Sequence, residues 1–140
     1  MPHAGLLDEQ ALGPVEGPLQ RSRLHLRGGR RRLRQGKTAA AIVTLYDALE
    51  AALEWRTADR AVSAPFAGSR SLYRDLVASG ALDGSFDFDA FDRLAERALD
   101  DDTAGVDAAP VLAGVEAVLT ALGVLPFDEA SLPPEDPGTF

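Results

Sequence analysis

Apolar residues recur at helical spacing over residues 38–55, in the stretch TAAAIVTLYDALEAALEW. Leucines, isoleucine and alanines lie three or four residues apart, and the acids Asp47, Glu50 and Glu54 fall mostly beside that stripe. This arrangement is typical of an amphipathic helix. The stretch contains no glycine or proline, and alanine and leucine are among the best helix formers. We therefore predict a helix at the centre of the fold.

The basic stretch in front of this helix contains the pair Gly28-Gly29, which allows two interpretations. Two glycines cost about 2 kcal/mol relative to alanine in a helix interior. Either a short element ends near Arg27 and the main helix begins near Arg30, or the whole segment is a frayed extension of the main helix. We favour a main helix over about residues 30–58.

Two shorter stretches with helical periodicity follow a predicted loop over residues 57–69. The first, SRSLYRDLVASG, has Ser69 or Ser71 as its N-cap and ends at Gly80, where a left-handed conformation is needed. The second, FDFDAFDRLAERALDDD, is capped by Ser85 or Asp87. Its predicted buried stripe consists of Phe88, Phe91, Leu94, Ala95, Ala98 and Leu99.

A further helix is predicted from AAPVLAGVEAVLTALG. Asp107 precedes it, Pro110 fits its first turn, and Gly123 ends it. Its predicted core positions are Leu112, Val115, Val118, Leu119 and Leu122.

Together these elements predict an all-α fold, an antiparallel four-helix bundle with one long central helix, at about residues 30–58, and three shorter helices. Residues 1–18 contain glycine and proline breaks and are predicted to form a flexible N-terminal arm. Residues 19–124 form the single helical domain, and residues 125–140 form a flexible proline-rich tail. Because the helix lengths differ, part of the long helix is left uncovered, which predicts self-association as a homodimer.

The composition narrows the class of protein. A chain of 140 residues is long enough for one domain with a real core. It has no cysteine, which excludes disulfides and thiolate metal sites and fits a reducing cytoplasm. No run of about 18 apolar residues is present, and the start MPHAGLLDEQ does not have the pattern of a secretory signal. One lysine against thirteen arginines suggests a GC-rich, bacterial genome. We predict a cytoplasmic protein with no membrane partner.

The net charge of −8 is unevenly distributed. Residues 21–37 carry eight basic side chains and no acid, so the remaining residues hold 6 basic and 22 acidic side chains, a balance of −16. Arginine forks suit bidentate phosphate contacts. The candidate contacts for phosphate or for a partner protein are Arg27, Arg30, Arg31, Arg32, Arg34 and Lys37.

The same basic segment also fits a purely structural interpretation, in which acids of its own domain neutralise its charge. Asp87, Asp89 and residues 100–102 are the predicted partners. The acidic background favours this interpretation, or a protein partner, over nucleic acid, since an acidic chain repels polyanions.

The sequence lacks the residues of a catalytic centre. It has no cysteine and no Gly-x-Ser-x-Gly motif, and nothing orients His25 as a base. Asp47, Glu50 and Glu54 have the spacing for a carboxylate-only Mg²⁺ site, although such runs are usually solvated faces. Residues 100–107 lack two ligands of a calcium loop. We predict no enzyme activity, no cofactor and no metal site.

Residues 34–55, RQGKTAAAIVTLYDALEAALEW, resemble the long helix of small bacterial helical-bundle proteins of unassigned function. More distantly, they are similar to HEPN-type bundles, which accompany minimal nucleotidyltransferases or act as ribonucleases. The resemblance covers about a sixth of the chain. The ribonuclease members carry an Arg followed four to six residues later by a His in a late helix. Residues 110–123 contain neither, and Arg21 and His25 lie at the other end of the chain. The resemblance therefore implies the bundle fold without that activity.

Three functions follow as hypotheses. The first is a non-catalytic helical interaction module that binds its own copy or another protein. The second is a nucleic-acid-associated protein that uses the basic segment, and the third is a bundle that binds a small ligand or a metal.

Overall fold

The computed structural model describes residues 9–57 and 68–135 of the chain. The first eight residues of the predicted arm, most of the predicted loop over 57–69 and the last five residues of the predicted tail lie outside this part. Within it, the regular structure is entirely helical, with no strand, so the all-α prediction is confirmed. The α-helices are α1 (Glu9–Arg34), α2 (Thr38–Thr57), α3 (Ser69–Ala78), α4 (Phe88–Leu99) and α5 (Ala108–Leu122), followed by a 3-10 helix, Glu129–Ser131.

The predicted long helix over residues 30–58 is wrong, because the chain turns between α1 and α2. Gly36 has a φ of +75°, a left-handed conformation that favours glycine. The N–H of Lys37 donates to the carbonyl of Arg32 at 2.9 Å, and the N–H of Gly36 donates to that of Leu33 at 3.1 Å. This pair of bonds is the Schellman pattern that ends a helix. The described part therefore holds five helices where the sequence predicts four.

The interpretation in which a short element ends near Arg27 and a new helix begins near Arg30 is also wrong, since α1 continues through Gly28 and Gly29 to Arg34. A Cβ atom on Gly29 would lie 2.6 Å from Cδ2 of Leu45. Glycine is therefore needed for α1 to approach α2, and the contact offsets the poor helix propensity. About two helical turns before Gly29, Oγ of Ser22 donates to the carbonyl of Ala48 at 2.8 Å.

Helix α1 also covers residues that the sequence assigns to the N-terminal arm. Residues 9–18 lie within its bounds, although Gly13 is not helical, with φ +87° and ψ 178°. Pro14 follows directly, so it begins the second helical part, where its missing N–H costs nothing. Residues 17–19 are buried.

Helix α2 is the centre of the fold, because it packs against each of the other four helices. Its apolar side chains are buried nearly all round the helix. The buried apolar positions are Ala41, Ile42, Leu45, Ala48, Leu49, Ala51, Ala52 and Leu53.

The ends of the later helices mostly follow their sequence signals. Asp87 accepts a bond from the N–H of Ala90 at 3.0 Å, and Asp107 accepts one from that of Ala109 at 3.1 Å. Gly123 ends α5 with a φ of +94°. Helix α3 differs, because its N-cap is Gly68 and not a serine.

The core contains most of the predicted positions on α4 and α5. Val115, Val118, Leu119 and Leu122 are buried, and Leu112 is partly buried. Leu99 is the exception, because its side chain is 72% exposed at the last residue of α4. The prediction that Leu99 is buried is wrong.

Candidate functional site

The basic residues of α1 divide between two faces of that helix. Arg21 and Arg32 face α2, where Arg21 pairs with Glu54 and Arg32 donates to Oγ1 of Thr44. Arg23, Arg27, Arg30 and Arg34 are spaced by four, three and four residues, which places them on one face of a helix. We call these four residues the arginine row.

On the face of α1 toward α2, polar side chains of the two helices contact each other, and two of them have shifted pKa values. Burial lowers the pKa of Arg32, and the neighbouring charge of Arg31 lowers it further. Burial also raises the pKa of Asp47, as does the negative charge of Glu50, against the opposing charges of Arg21 and Arg32. These arginines therefore serve the contact between two helices of the same chain.

Three members of the arginine row, Arg23, Arg27 and Arg30, lie against residues 124–135, which we call the C-terminal segment. Nε of Arg23 donates to the carbonyl of Val124 at 3.2 Å, and its guanidinium lies 5.3 Å from the ring centroid of Phe127. Nη1 of Arg27 donates to the carbonyl of Pro133 at 2.7 Å. The segment therefore follows the row along α1.

One carboxylate of the C-terminal segment pairs with two arginines. Oε2 of Glu135 accepts a bond from Nε of Arg31 at 2.6 Å, and Oε1 lies 3.5 Å from Nε of Arg27. Arg27 and Arg31 are only 7% and 5% exposed. Charges this deeply buried need such partners, because transfer out of water is costly.

Arg30 is held by two glutamates from different elements. Its Nε donates to Glu116 of α5 at 3.1 Å, and its Nη1 donates to Glu129 of the 3-10 helix at 3.2 Å. The Arg30 side chain remains 25% exposed. It therefore links α1, α5 and the C-terminal segment at the surface.

The six predicted contact residues do not form one exposed surface. Arg32 faces α2, Arg27 and Arg31 are buried under the C-terminal segment, and Arg30 is partly covered. Arg34 and Lys37 are exposed, and within residues 9–57 and 68–135 their side chains have no ion pair or hydrogen bond.

The neutralising acids also differ from those that the sequence suggests. Asp89 pairs with Arg70 and Asp102 with Arg97, away from α1. The acids that pair with the arginines of α1 are Glu54, Glu116, Glu129 and Glu135. They lie 33 to 108 residues from their arginines, the longest separation being that of Glu135 from Arg27 (135 − 27 = 108), and no local pattern marks such a pairing.

Comparison with protein-family models, with curated proteins and with solved structures finds no match to this chain. The resemblance of residues 34–55 to HEPN-type bundles stays a prediction. Those residues include the turn between α1 and α2, so they do not form one helix.

The three central acids do not converge on a common point. Glu54 pairs with Arg21, and Glu50 accepts a bond from Oγ of Ser69 at 3.3 Å. No group of three or more histidine or carboxylate side chains in the described residues is placed to hold a metal ion. None of the described helices is both long and apolar enough to cross a membrane.

A second polar cluster joins α2, α3 and α4. The hydroxyl of Tyr46 donates to Oδ1 of Asp92 at 2.7 Å, and Arg70 donates to Oδ2 at 2.9 Å. Burial raises the pKa of Tyr46, and the bond to Asp92 raises it further. The phenol therefore stays protonated, and the cluster ties three helices together.

An apolar groove of about 640 Å³, which the sequence pattern does not predict, lies between α4, α5 and residues 80–87. The aromatic rings of Tyr73, Phe86 and Phe91 line one side. A Cβ atom on Gly114 would lie 3.1 Å from Cε2 of Phe86, so glycine lets this ring lie against α5. The α5 wall consists of small residues, chiefly Pro110, Gly114, Ala117 and Ala121.

The outer face of α5 carries no charged residue. Its exposed positions are Ala109, Pro110, Ala113, Ala117, Thr120 and Ala121. The only charged residue in α5, Glu116, bonds to Arg30. Surface helices of soluble proteins normally turn charged residues to solvent. In the sequence, this face could be recognised from small or uncharged residues spaced by four, three and four positions, which are Pro110, Gly114, Ala117 and Ala121.

Proposed function

We propose that this protein is a non-catalytic helical interaction module that self-associates as a homodimer through α5. The contact surface is the groove together with the outer face of α5, which we call the α5 surface. The observation that carries the proposal is the lack of any charged side chain on the exposed face of this helix, in a chain where 26% of residues are charged.

The absence of charge on the exposed face of α5 permits a second copy of this chain as the occupant. Two chains with a net charge of −8 repel each other wherever their acids meet. The exposed face of α5 itself carries no charge, so two copies can meet along the helix with little repulsion, whereas Asp83 and Asp87 line the part of the groove formed by residues 80–87. Small side chains such as Ala117 also allow close approach of two helices.

The size of the contact requires more than one helix. Specific dimers bury about 1,200–2,000 Å² in total. Helix α5 is 15 residues long, or about 22 Å. The walls of the groove, including Ala90 and Leu94 of α4, therefore take part in the proposed interface.

Sedimentation velocity of the full chain tests the proposal. The wild-type protein should sediment near twice its monomer mass of 14.8 kDa at micromolar concentration. Ala117→Glu places a charge at the middle of the α5 surface and should yield monomer. Ser71→Glu adds the same charge at an exposed position of α3 and should leave the dimer intact.

Circular dichroism of both variants checks that the helices are retained. A wild-type protein that stays monomeric at all concentrations contradicts the proposal. Equal dimerisation of Ala117→Glu and wild type excludes the α5 surface as the contact.

The groove also supports a second function, the binding of a small apolar ligand. Its volume of about 640 Å³ is within the range of about 300–1,000 Å³ typical of ligand pockets. Aromatic side chains such as Phe86 and Phe91 are common in such sites. A ligand that prefers the native state raises the melting temperature. Ala90→Phe, which narrows the groove, should remove that rise.

A further inference from the structure

The C-terminal segment covers Arg23, Arg27 and Arg30 of the arginine row with carboxylate and carbonyl oxygens. We propose that the row, with Arg31 and Lys37, is a latent site for the phosphate backbone of single-stranded nucleic acid. The C-terminal segment is its intramolecular competitor. This site lies on α1, apart from the α5 surface, and does not depend on dimerisation.

The contacts of the segment are those that phosphates would make. Arg27 donates to a carbonyl oxygen of Pro133 at 2.7 Å, and Arg31 donates to a carboxylate oxygen of Glu135 at 2.6 Å. Guanidinium groups bind carboxylate and phosphate oxygens with the same donor geometry. The segment therefore occupies donors that an incoming phosphate can use.

The arginine row extends beyond the C-terminal segment. From Arg23 to Arg34 the helix rises about 17 Å. Arg34 lies at the uncovered end, and Lys37 follows it in the turn, both exposed. These two cations allow a first contact before the segment moves. A regular row of cations fits a chain of phosphates, which repeats its charge along the strand.

The segment is held by contacts that a polyanion can replace. Between residues 128 and 135, only Leu132 is a buried apolar side chain. The ion pairs and hydrogen bonds of this stretch to α1 include those of Glu129, Pro133 and Glu135. Upstream, Val124 is fully buried, so the segment can release its end and stay attached to the core.

Fluorescence anisotropy of a labelled 20-nucleotide oligouridine with the full chain tests the proposal, at roughly 50 to 300 mM salt. The variant Glu129→Gln/Glu135→Gln weakens the cover. It should bind about tenfold more tightly than wild type at 50 mM salt, and the slope of log K against log salt should be steeper by about 1.4. Each phosphate contact to a single strand contributes about 0.7 to that slope. Arg27 and Arg31 both lose the Glu135 carboxylate, whereas Arg30 keeps its pair with Glu116.

The matched control is Asp75→Asn/Glu96→Gln. Both residues are exposed, and within the described residues neither side chain forms an ion pair. This variant changes the net charge by the same amount without touching α1. Adding Arg30→Ala and Arg34→Ala to the Gln variant should abolish its gain.

The outcomes decide the proposal. Equal gains for the Gln variant and the control mean that net charge alone acts, which overturns it. Absence of RNA binding in every variant also overturns it, as does equal binding of polyglutamate, which lacks phosphate. If circular dichroism shows that the Gln variant is unfolded, Glu129→Gln alone replaces it. The Glu129 side chain is 44% exposed, and its loss should still tighten binding.

Discussion

Gly29 of α1 faces Leu45 of α2 so closely that a methyl group on residue 29 would lie 2.9 Å from Cγ of Leu45 and 2.6 Å from Cδ2. Leu45 is fully buried, so its side chain has little room to move away. This contact fixes the separation of the two helices, and the rest of the fold packs around α2.

Gly29→Ala should therefore destabilise the protein by about 1–2 kcal/mol. Overpacking costs about 1–3 kcal/mol, and the gain in helix propensity returns up to about 1 kcal/mol. Urea unfolding measures the change. In a Leu45→Ala background the clash is absent, and the same Gly29→Ala change should stabilise the protein. Destabilisation of equal size in both backgrounds would show that residue 29 acts through something other than Leu45.

Asp47→Asn should raise the free energy of unfolding at pH 7. Burial and the charge of Glu50 raise the pKa of Asp47 in the folded protein. Below the unfolded pKa of about 3.9, Asp47 is protonated in both the folded and the unfolded state and does not lower the free energy of unfolding. As the pH rises through this value, the unfolded chain ionises first, so stability falls until the folded pKa is passed.

Urea unfolding between pH 7 and pH 4 checks this sign. The advantage of Asp47→Asn over wild type should narrow as the pH is lowered. Asp75→Asn, at an exposed position of α3, should show no such trend. A variant less stable than wild type at pH 7 would mean that attraction to Arg21 and Arg32 outweighs burial.

Phe91→Ala and Leu99→Ala should differ sharply, although the periodicity of α4 assigns both to one buried stripe. Phe91 is 5% exposed, and its ring centroid lies 5.5 Å from those of Tyr46 and Phe86. Its truncation should cost about 3–5 kcal/mol. Leu99 is 72% exposed, so its truncation should change stability by less than about 0.5 kcal/mol. Thermal unfolding of the two variants provides the comparison, and similar losses would contradict this burial pattern.

The sequence by itself determined the local features of the chain. Asp87 and Asp107 cap α4 and α5, and Gly123 ends α5, because capping needs only residues next to each other in the chain. The apolar stripe through Ile42 and Leu49 also identified the buried faces of α2. Periodicity finds such faces because helix geometry repeats along the chain.

Only the tertiary structure decided where the helical hairpin turns and what covers the arginines. Helix propensity places the break at Gly28-Gly29, but packing of Gly29 on Leu45 outweighs it, and the chain turns at Gly36 instead. Glu135 reaches Arg31 across 104 residues, a pairing that depends on how the chain returns to α1. Packing and ion pairing act between residues that are neighbours in space, and a pattern along the chain describes only neighbours in sequence.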